Sequence, residues 1–167
     1  MIIRRAACND ASPIATVHVN AWRWTYEGLL DSAYLWQLSV TRREEMWREL
    51  LENEEATSQF IFIAEAGGQV IGFVAGGPDR GDASVGESYA IYIDQGQLNK
   101  GVGRALHDRA IEQLRHYGFL KARLWVLASN DRARGFYEKC GWIATGEDKL
   151  EAIDGHRRRE LRYAKAL

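Results

Sequence analysis

Residues 91–106 read IYIDQGQLNKGVGRAL, an apolar run that is followed by a polar loop and then by a pair of glycines. The apolar run predicts a β-strand, and the apolar residues after Gly101 keep the period of a helix to about Tyr117. The first turn of such a helix has unpaired N–H groups at the positive end of the helix dipole. Because Gly101 and Gly103 let an anion approach the backbone closely, the segment predicts a phosphate site.

The glycine pair does not match two other nucleotide-binding motifs. The dinucleotide fingerprint GxGxxG fails because Leu106 stands where the third glycine is required, and no Lys-Ser or Lys-Thr follows a glycine as a P-loop needs. Lys100 and Arg104 add positive charge beside the glycines. Taken alone, the segment leaves two interpretations open: a phosphate cradle, or a tight turn that only packs the helix on the strand.

The composition predicts one globular domain over residues 1–167. The chain is 46% apolar and 27% charged, which is the ordinary balance of a folded soluble protein. Its formal net charge of -1 gives no overall field that would hold nucleic acid. There is neither a signal-peptide pattern nor an apolar run of about 18 residues, so we expect a cytoplasmic protein without a membrane partner.

Cysteine and histidine predict neither a disulfide framework nor a metal site. Cys8 and Cys140 are far apart in sequence, and the four histidines lack the spacing of metal ligands. We expect His107 and His116 to face solvent from the polar side of a helix. Cys140 has no histidine near it in sequence, which favours a buried helix end over a nucleophile that carries an acyl group.

Apolar periodicity and turn residues predict alternating strands and helices. Ser12 is the expected N-cap of the first helix, with Pro13 at the first helical position. Gly67-Gly68 and Asp154-Gly155 predict hairpin turns. The expected helices are 13–26, 41–53, 101–117 and 131–139; the expected strands are 1–7, 59–64, 69–75, 88–94 and 121–128, with two more around Ile143 and Leu161, and 76–86 is expected to be a surface loop.

The strand, loop and helix of residues 91–106 resemble the acyl-CoA-binding motif of the GNAT superfamily of N-acetyltransferases, Gln/Arg-x-x-Gly-x-Gly/Ala after a strand. When the glycines are aligned, Leu98 stands at the Gln/Arg position and Asn99 stands where many members have glycine. Asparagine tolerates a left-handed backbone, so Asn99 can keep the shape of the loop. Leu98 removes one side-chain hydrogen bond near the pyrophosphate, whereas the backbone amides of residues 98–104 remain.

A second stretch carries the same resemblance. Residues 130–142 read NDRARGFYEKCGW and are similar to the superfamily's second region, N-x-x-A-x-x-F/L-Y-x-x-x-G-F/W, at each indicated position. With one helix and one strand between the two motifs, the resemblance extends over nearly the whole chain. It implies an α/β (α+β) fold with a mixed, mostly antiparallel central sheet of about seven strands flanked by helices. The cofactor would lie where two central parallel strands part.

The resemblance implies transfer of an acetyl group from acetyl-CoA (coenzyme A) to a primary amine, by direct attack in a ternary complex. The acceptor would be a small-molecule amine or, as an alternative, a peptide amine such as a protein N-terminus or lysine. A non-catalytic acyl-CoA-binding sensor is the rival interpretation, and a homodimer stays open. The residues assigned to the cofactor are Ile91, Tyr92, Ile93, Leu98, Asn99, Lys100, Gly101, Val102, Gly103, Arg104, Asn130, Ala133 and Tyr137.

Tyr137 and Glu87 are the candidate catalytic residues. Attack of an amine on a thioester expels a thiolate, and the phenol of Tyr137 is a suitable proton donor to it. Glu87, at the start of the strand before the loop, is the candidate base that takes the amine proton directly or through water. The alternatives are that Tyr137 only anchors a helix in the core and that Glu87 is an ordinary solvated carboxylate. A backbone N–H of Tyr92 or Ile93 would stabilise the oxyanion.

Aromatic residues are the candidate acceptor site. The resemblance places Trp22 and Tyr26 of the first helix beside the acceptor, while Tyr89 lies on the same strand face as Glu87. Loops 22–36 and 77–86 would shape this pocket. The run Arg157–Arg159 is interpreted as a solvated strand, with binding of an acidic group on the acceptor as the alternative.

Overall fold

The computed structural model describes residues 1–54 and 57–167. Its strands are β1 (Ile2–Arg5), β2 (Phe60–Ala66), β3 (Gln69–Pro78), β4 (Gly86–Ile93), β5 (Lys121–Leu127), β6 (Ile143–Ile153) and β7 (His156–Ala166). They form one seven-stranded sheet in the order β1-β2-β3-β4-β5-β7-β6. Only β4 and β5 are parallel neighbours among these described strands, and the other pairs are antiparallel. The expected mixed, mostly antiparallel sheet is confirmed.

Helices cover both faces of this sheet. They are α1 (Ala11–Thr25), α2 (Ser32–Gln37), α3 (Val40–Glu52), α4 (Val102–His116) and α5 (Asp131–Lys139). The β2 sequence FIFIA, residues 60–64, is apolar on both faces because α1 and α3 pack on one side of it and α4 on the other. Within the described residues, no helix is long and apolar enough to span a membrane.

Helix α4 follows the prediction closely. It begins after Gly101 and ends before Gly118, whose φ angles of 83° and 85° lie in the left-handed region that favours glycine. The apolar residues Leu106, Ala110 and Leu114 are buried against the sheet. Each large side chain buried in this way stabilises the fold by about 1.5–3 kcal/mol.

Residues 76–86 are not a loop throughout, as the sequence analysis expected. β3 continues to Pro78 and pairs there with Gly86, the first residue of β4. There is no room for a side chain at Gly76. A Cβ there would lie 2.5 Å from Cζ of Phe60 and 2.7 Å from the carbonyl oxygen of Glu87. The glycines therefore mark close packing of a buried strand, whereas the sequence pattern was interpreted as a turn signal.

A β-bulge interrupts the pairing of β3 with β4. Ala75 pairs with Ala90 and Gly76 pairs with Ser88, which leaves Tyr89 as an extra residue on β4. A bulge of this kind bends its strand and redirects side chains. It lies next to the point at which β4 separates from β5.

The predicted start of the first helix is wrong. Ser12 is not the N-cap and Pro13 is not the first helical residue, because α1 begins at Ala11 after Asp10. The Asp10 carboxylate is bonded to Arg4 and accepts from the Ala7 amide at 2.8 Å, which fixes the helix start before Ser12. Helix α2 was not predicted, because six residues are too few to show an apolar period.

The expectation that His107 faces solvent is wrong. His107 is buried, and its Nε2 accepts a hydrogen bond of 2.9 Å from Nε1 of Trp142. It shares the inward face of α4 with Ala110, Ile111 and Leu114, at the i+3, i+4 and i+7 positions. His116, by contrast, is exposed. Burial, the largest effect, lowers the pKa of His107, so the ring is held neutral in the core.

Replacement of Gly76 by alanine is expected to destabilise the fold. The added methyl group would meet the Phe60 ring and the β4 backbone, so Gly76→Ala should lower the free energy of unfolding by about 1–3 kcal/mol in chemical denaturation. Gly96→Ala is the matched control, since nothing lies within 4 Å of a Cβ at that exposed position. Equal stability of the two variants would contradict the close packing of β3 against β4.

Candidate active site

The site begins where β4 and β5 part. The two strands pair at Gly86 with Ala122 and at Glu87 with Arg123, and β4 then diverges from β5. A cavity of about 730 Å³ opens beyond this point, with residues 89–93 on one side and 125–127 on the other. One edge of residues 91–93 pairs with β3, while the edge that faces β5 has no strand partner in the described chain. Such an edge can pair with an extended ligand that carries amide groups.

The N-terminus of α4 forms one wall of the cavity. The first α4 hydrogen bond back to this turn runs from the Ala105 amide to the Gly101 carbonyl at 3.0 Å, so the amides of residues 102–104 precede it. A Cβ on Gly103 would lie 2.8 Å from Cδ1 of Ile93, so glycine keeps this turn close to the strand. The arrangement suits a diphosphate, because several N–H donors and the helix dipole converge on one place.

The loop before α4 has the shape that the sequence predicted. Asn99 adopts φ of 60°, a left-handed conformation that asparagine tolerates. Leu98 and Asn99 line the cavity, as do Gly101, Gly103 and Arg104. Arg104 also forms an exposed ion pair with Asp108. The remaining predicted cofactor residues of this segment differ: Lys100 lies outside the lining, and Val102 packs its side chain in the core.

Helix α5 brings Asn130, Ala133 and Tyr137 to the same cavity. The Asn130 side chain caps the helix by accepting from the Ala133 amide at 3.1 Å. Tyr137 is buried but reaches the lining. Burial, the largest effect, raises the pKa of Tyr137, which keeps the phenol protonated at neutral pH. A protonated phenol in a cavity is a proton donor to a ligand.

Aromatic side chains form the opposite wall. The predicted acceptor residues Trp22, Tyr26 and Tyr89 all line the cavity, and Tyr92 joins them. The hydroxyls of Tyr26 and Tyr92 lie 3.1 Å apart. Behind them, buried His18 stacks on Tyr92 with 5.1 Å between ring centroids. This wall combines aromatic faces with hydroxyl groups, which suits an organic cation or amine.

Glu87 does not line the cavity. It is buried at the base of the divide between β4 and β5, and its carboxylate accepts from the Arg80 amide at 3.1 Å. Loss of solvation, the largest effect, raises its pKa. Glu87 is therefore no ordinary solvated carboxylate. Residues 77–86 are also absent from the lining, whereas Trp22, Tyr26 and Leu30 of the 22–36 segment contribute to it.

The sequence analysis missed several residues of the lining. The side chain of Trp125 faces the cavity from a strand whose neighbours Leu124 and Val126 are core residues, so strand alternation was the available signal. Glu160 reaches the lining through the pairing of β7 with β5, which no local pattern shows. The missed residues include Trp125, Arg132, Phe136, Ile153 and Glu160.

Comparison with known proteins identifies the family of this chain. A family model described as the acetyltransferase (GNAT) family matches residues 19–142. The chain belongs to the acetyltransferase (GNAT) family. Membership makes it an N-acetyltransferase that depends on acetyl-CoA, as the sequence resemblance implied.

Individual relatives of this N-acetyltransferase span most of its length. It is 33% identical over 162 residues to the uncharacterised N-acetyltransferase YuaI of Bacillus subtilis, covering 95% of this chain and 89% of that protein. It is 25% identical over 155 residues to a spermidine N(1)-acetyltransferase of Thermoplasma acidophilum, covering 92% of this chain and 91% of that protein.

The fold of the N-acetyltransferase also matches solved structures. The PaiA N-acetyltransferase of Thermoplasma acidophilum, crystallised in complex with coenzyme A, superposes with a TM-score of 0.78 at 21% identity. The match covers 99% of this chain and 98% of that one. At this identity the likeness establishes the shared fold.

Proposed function

We propose that this protein, working as one domain over residues 1–167, acetylates a primary amine of a small molecule by direct attack within a ternary complex. The observation that carries the proposal is that one cavity is lined both by a helix N-terminus suited to a diphosphate and by a protonated phenol, Tyr137, beside an aromatic wall. Holding both reactants in one geometry supplies much of the rate of such a reaction.

The residues around the cleft fit coenzyme A. The amides of residues 98–104 would hold the diphosphate, and the free edge of Ile91–Ile93 would pair with the amide-containing pantetheine arm. Asn130 and Ala133 contribute the opposite side. When bound, acetyl-CoA supplies an acetyl thioester as the acyl donor. No group of three metal-ligating side chains lies together in the described residues.

Tyr137 is proposed as the general acid. Its side chain lines the cavity, and its phenol is in the protonated form that a general acid needs. A backbone N–H of Tyr92 or Ile93 on the same free strand edge is the proposed donor to the oxyanion. The alternative, in which Tyr137 only anchors α5, does not account for a phenol that reaches the cavity.

Glu87 is proposed as the base that acts through water. Its carboxylate is buried near the foot of the cavity and not in the lining, so direct contact with an amine is disfavoured. A raised pKa brings a carboxylate closer to the basicity that proton abstraction near neutral pH requires. Tyr89, two residues along β4, lies in the lining.

A closed acceptor end favours a small amine over a protein. The amide of Asp31, after α1, donates to the Asp154 carboxylate at the tip of the β6–β7 hairpin at 2.8 Å. Leu30 and Leu127 are buried nearby, and Ile153 packs against them. The similarity to a protein named as a spermidine N(1)-acetyltransferase also supports a small amine. A protein N-terminus or lysine would need this contact to open.

Amine-dependent release of thiol from acetyl-CoA tests the proposal directly. We expect turnover with members of a panel of small primary amines and none with short peptides that offer only a backbone N-terminus or lysine. Tight binding of acetyl-CoA by calorimetry without turnover on any amine would favour the rival interpretation, a sensor of acyl-CoA.

Tyr137→Phe removes the proposed acid and keeps the ring. We expect kcat to fall by about 100-fold or more, in line with general acid catalysis, while the Kd for coenzyme A changes little. Tyr117→Phe is the matched control, because that hydroxyl donates to the Gln59 carbonyl away from the cavity. An unchanged kcat in Tyr137→Phe would remove this residue from the acid role.

The pH profile of kcat/KM tests the base. Because a base must be deprotonated, activity should fall as pH falls through the pKa of Glu87, which lies above the usual glutamate range. Glu87→Gln should lower kcat and abolish this acidic limb, whereas Glu112→Gln on the exposed side of α4 should leave the profile intact. An acidic limb that survives in Glu87→Gln would exclude Glu87 as the group that titrates.

A further inference from the structure

Charged side chains are distributed unevenly around the cavity. The cationic lining residues Arg104, Arg132 and Lys139 belong to α4 and α5, the helices proposed to hold the cofactor. The strand-borne charge is a carboxylate, Glu160 of β7. Asp131, the other acidic lining residue, begins α5 and its side chain is 90% exposed. The cavity therefore has an anionic place on its strand side, away from the cationic helices.

Glu160 already binds an ammonium group of this chain. Its carboxylate lies 3.2 Å from Nζ of Lys149 on β6, and its side chain is only 18% exposed. The same Nζ lies 3.1 Å from the Glu151 carboxylate and 4.8 Å from the centre of the Trp125 ring. Two carboxylates thus face one ammonium, which leaves an excess of one negative charge in this group.

The surroundings of Glu160 suit a second cation. Trp22, Tyr26 and Trp125 line the same cavity, and aromatic faces attract ammonium and guanidinium groups. Arg162 also lies over the Trp125 ring, but its guanidinium is bonded to Asp79 and Glu147. Lys149 itself is not in the cavity lining. Its side chain is 38% exposed, so its ammonium group can turn toward solvent while it keeps its contact with Glu151.

A reacting amine cannot supply the charge that Glu160 would recognise. The nitrogen that attacks must be neutral, since a protonated amine has no free electron pair. A carboxylate in the acceptor cavity therefore contributes to binding throughout the reaction only if the acceptor carries another positive group. A charged partner in a half-buried site is worth more than at an exposed surface.

We infer that the acceptor of this enzyme carries a second cationic group, an amino or guanidinium group, which binds Glu160 against Trp125 in place of Lys149. This inference rests on the proposed function, because it names the class of amine for the same cavity. Lys149 acts as an internal competitor that occupies the anionic place when no acceptor is bound. Diamines and guanidino-amines are accordingly the substrate class, and simple monoamines are poor acceptors.

Steady-state kinetics with matched amines test the inference. α,ω-Diamines of three to eight carbons are compared with monoamines of the same chain length. We expect kcat/KM to favour the best diamine by about tenfold or more, the size of one charge-assisted contact. Glu160→Gln should abolish this preference. Lys149→Met keeps the side-chain length but removes the competing charge. It should therefore lower KM for the diamine, an effect opposite to that of Glu160→Gln.

Asp148→Asn provides the control for altered net charge. It removes a carboxylate from the same hairpin, where Asp148 pairs with Arg159 on the surface and does not line the cavity. The diamine preference should be unchanged in this variant. A preference that survives in Glu160→Gln, or one that falls equally in Asp148→Asn, would overturn the inference.

Binding of hexamethonium, a bis-quaternary cation that cannot be acetylated, separates the two proposals. Calorimetry should show binding to the wild-type protein and at least about tenfold weaker binding to Glu160→Gln, because the Glu160 charge attracts a quaternary ammonium without a hydrogen bond. If no amine is acetylated but this binding depends on Glu160, the cationic site stands and the proposed function fails. If amines are acetylated but hexamethonium binding ignores Glu160, the function stands and the inference fails.

Discussion

The structure depends on the short parallel ladder between β4 and β5. It holds the two halves of the sheet together at Gly86 and Glu87, and it ends before residues 91–93. Had the ladder continued, β5 would fill the place of the cavity and satisfy the open edge of β4. Backbone N–H and C=O groups left without a strand partner need water or a ligand, so the parted strands favour an extended, amide-bearing partner.

The β-bulge at Tyr89 contributes to the same separation of β4 from β5. One extra residue on β4 bends the strand next to the ladder and places Tyr89 in the cavity lining. The close approach at Gly76 keeps β3 pressed on this part of β4, so the bend is supported from the opposite side of the strand. The shape of this region is thus set by backbone packing, which also positions the candidate base Glu87 on β4.

The charges that can orient ligands are local to the cavity and do not appear in the net charge of the chain. A chain with a formal net charge of -1 has little overall field, yet its cavity has cationic helices on one side and the Glu160 carboxylate on the other. An anionic cofactor and a cationic acceptor can therefore be oriented in opposite senses within one cleft.

Local sequence predicted the parts of the site that local structure forms. The glycine turn at the start of α4, the left-handed Asn99 and the cavity-facing Tyr137 each depend on a few consecutive residues, and the sequence pattern was sufficient to place them. Long-range packing decided the rest. Glu160 reaches the cavity through strand register, and the buried state of Glu87 depends on the extension of β3 beside it. His107 was misassigned because polarity was weighed above its position on the inward face of α4.

A crystal structure of the protein with coenzyme A would test the central claim most directly. The account predicts the diphosphate against the amides that precede Ala105, the pantetheine arm paired with the free edge of Ile91–Ile93, and the sulfur close to the Tyr137 hydroxyl. Coenzyme A bound elsewhere, or the cleft closed by continued pairing of β4 with β5, would contradict it.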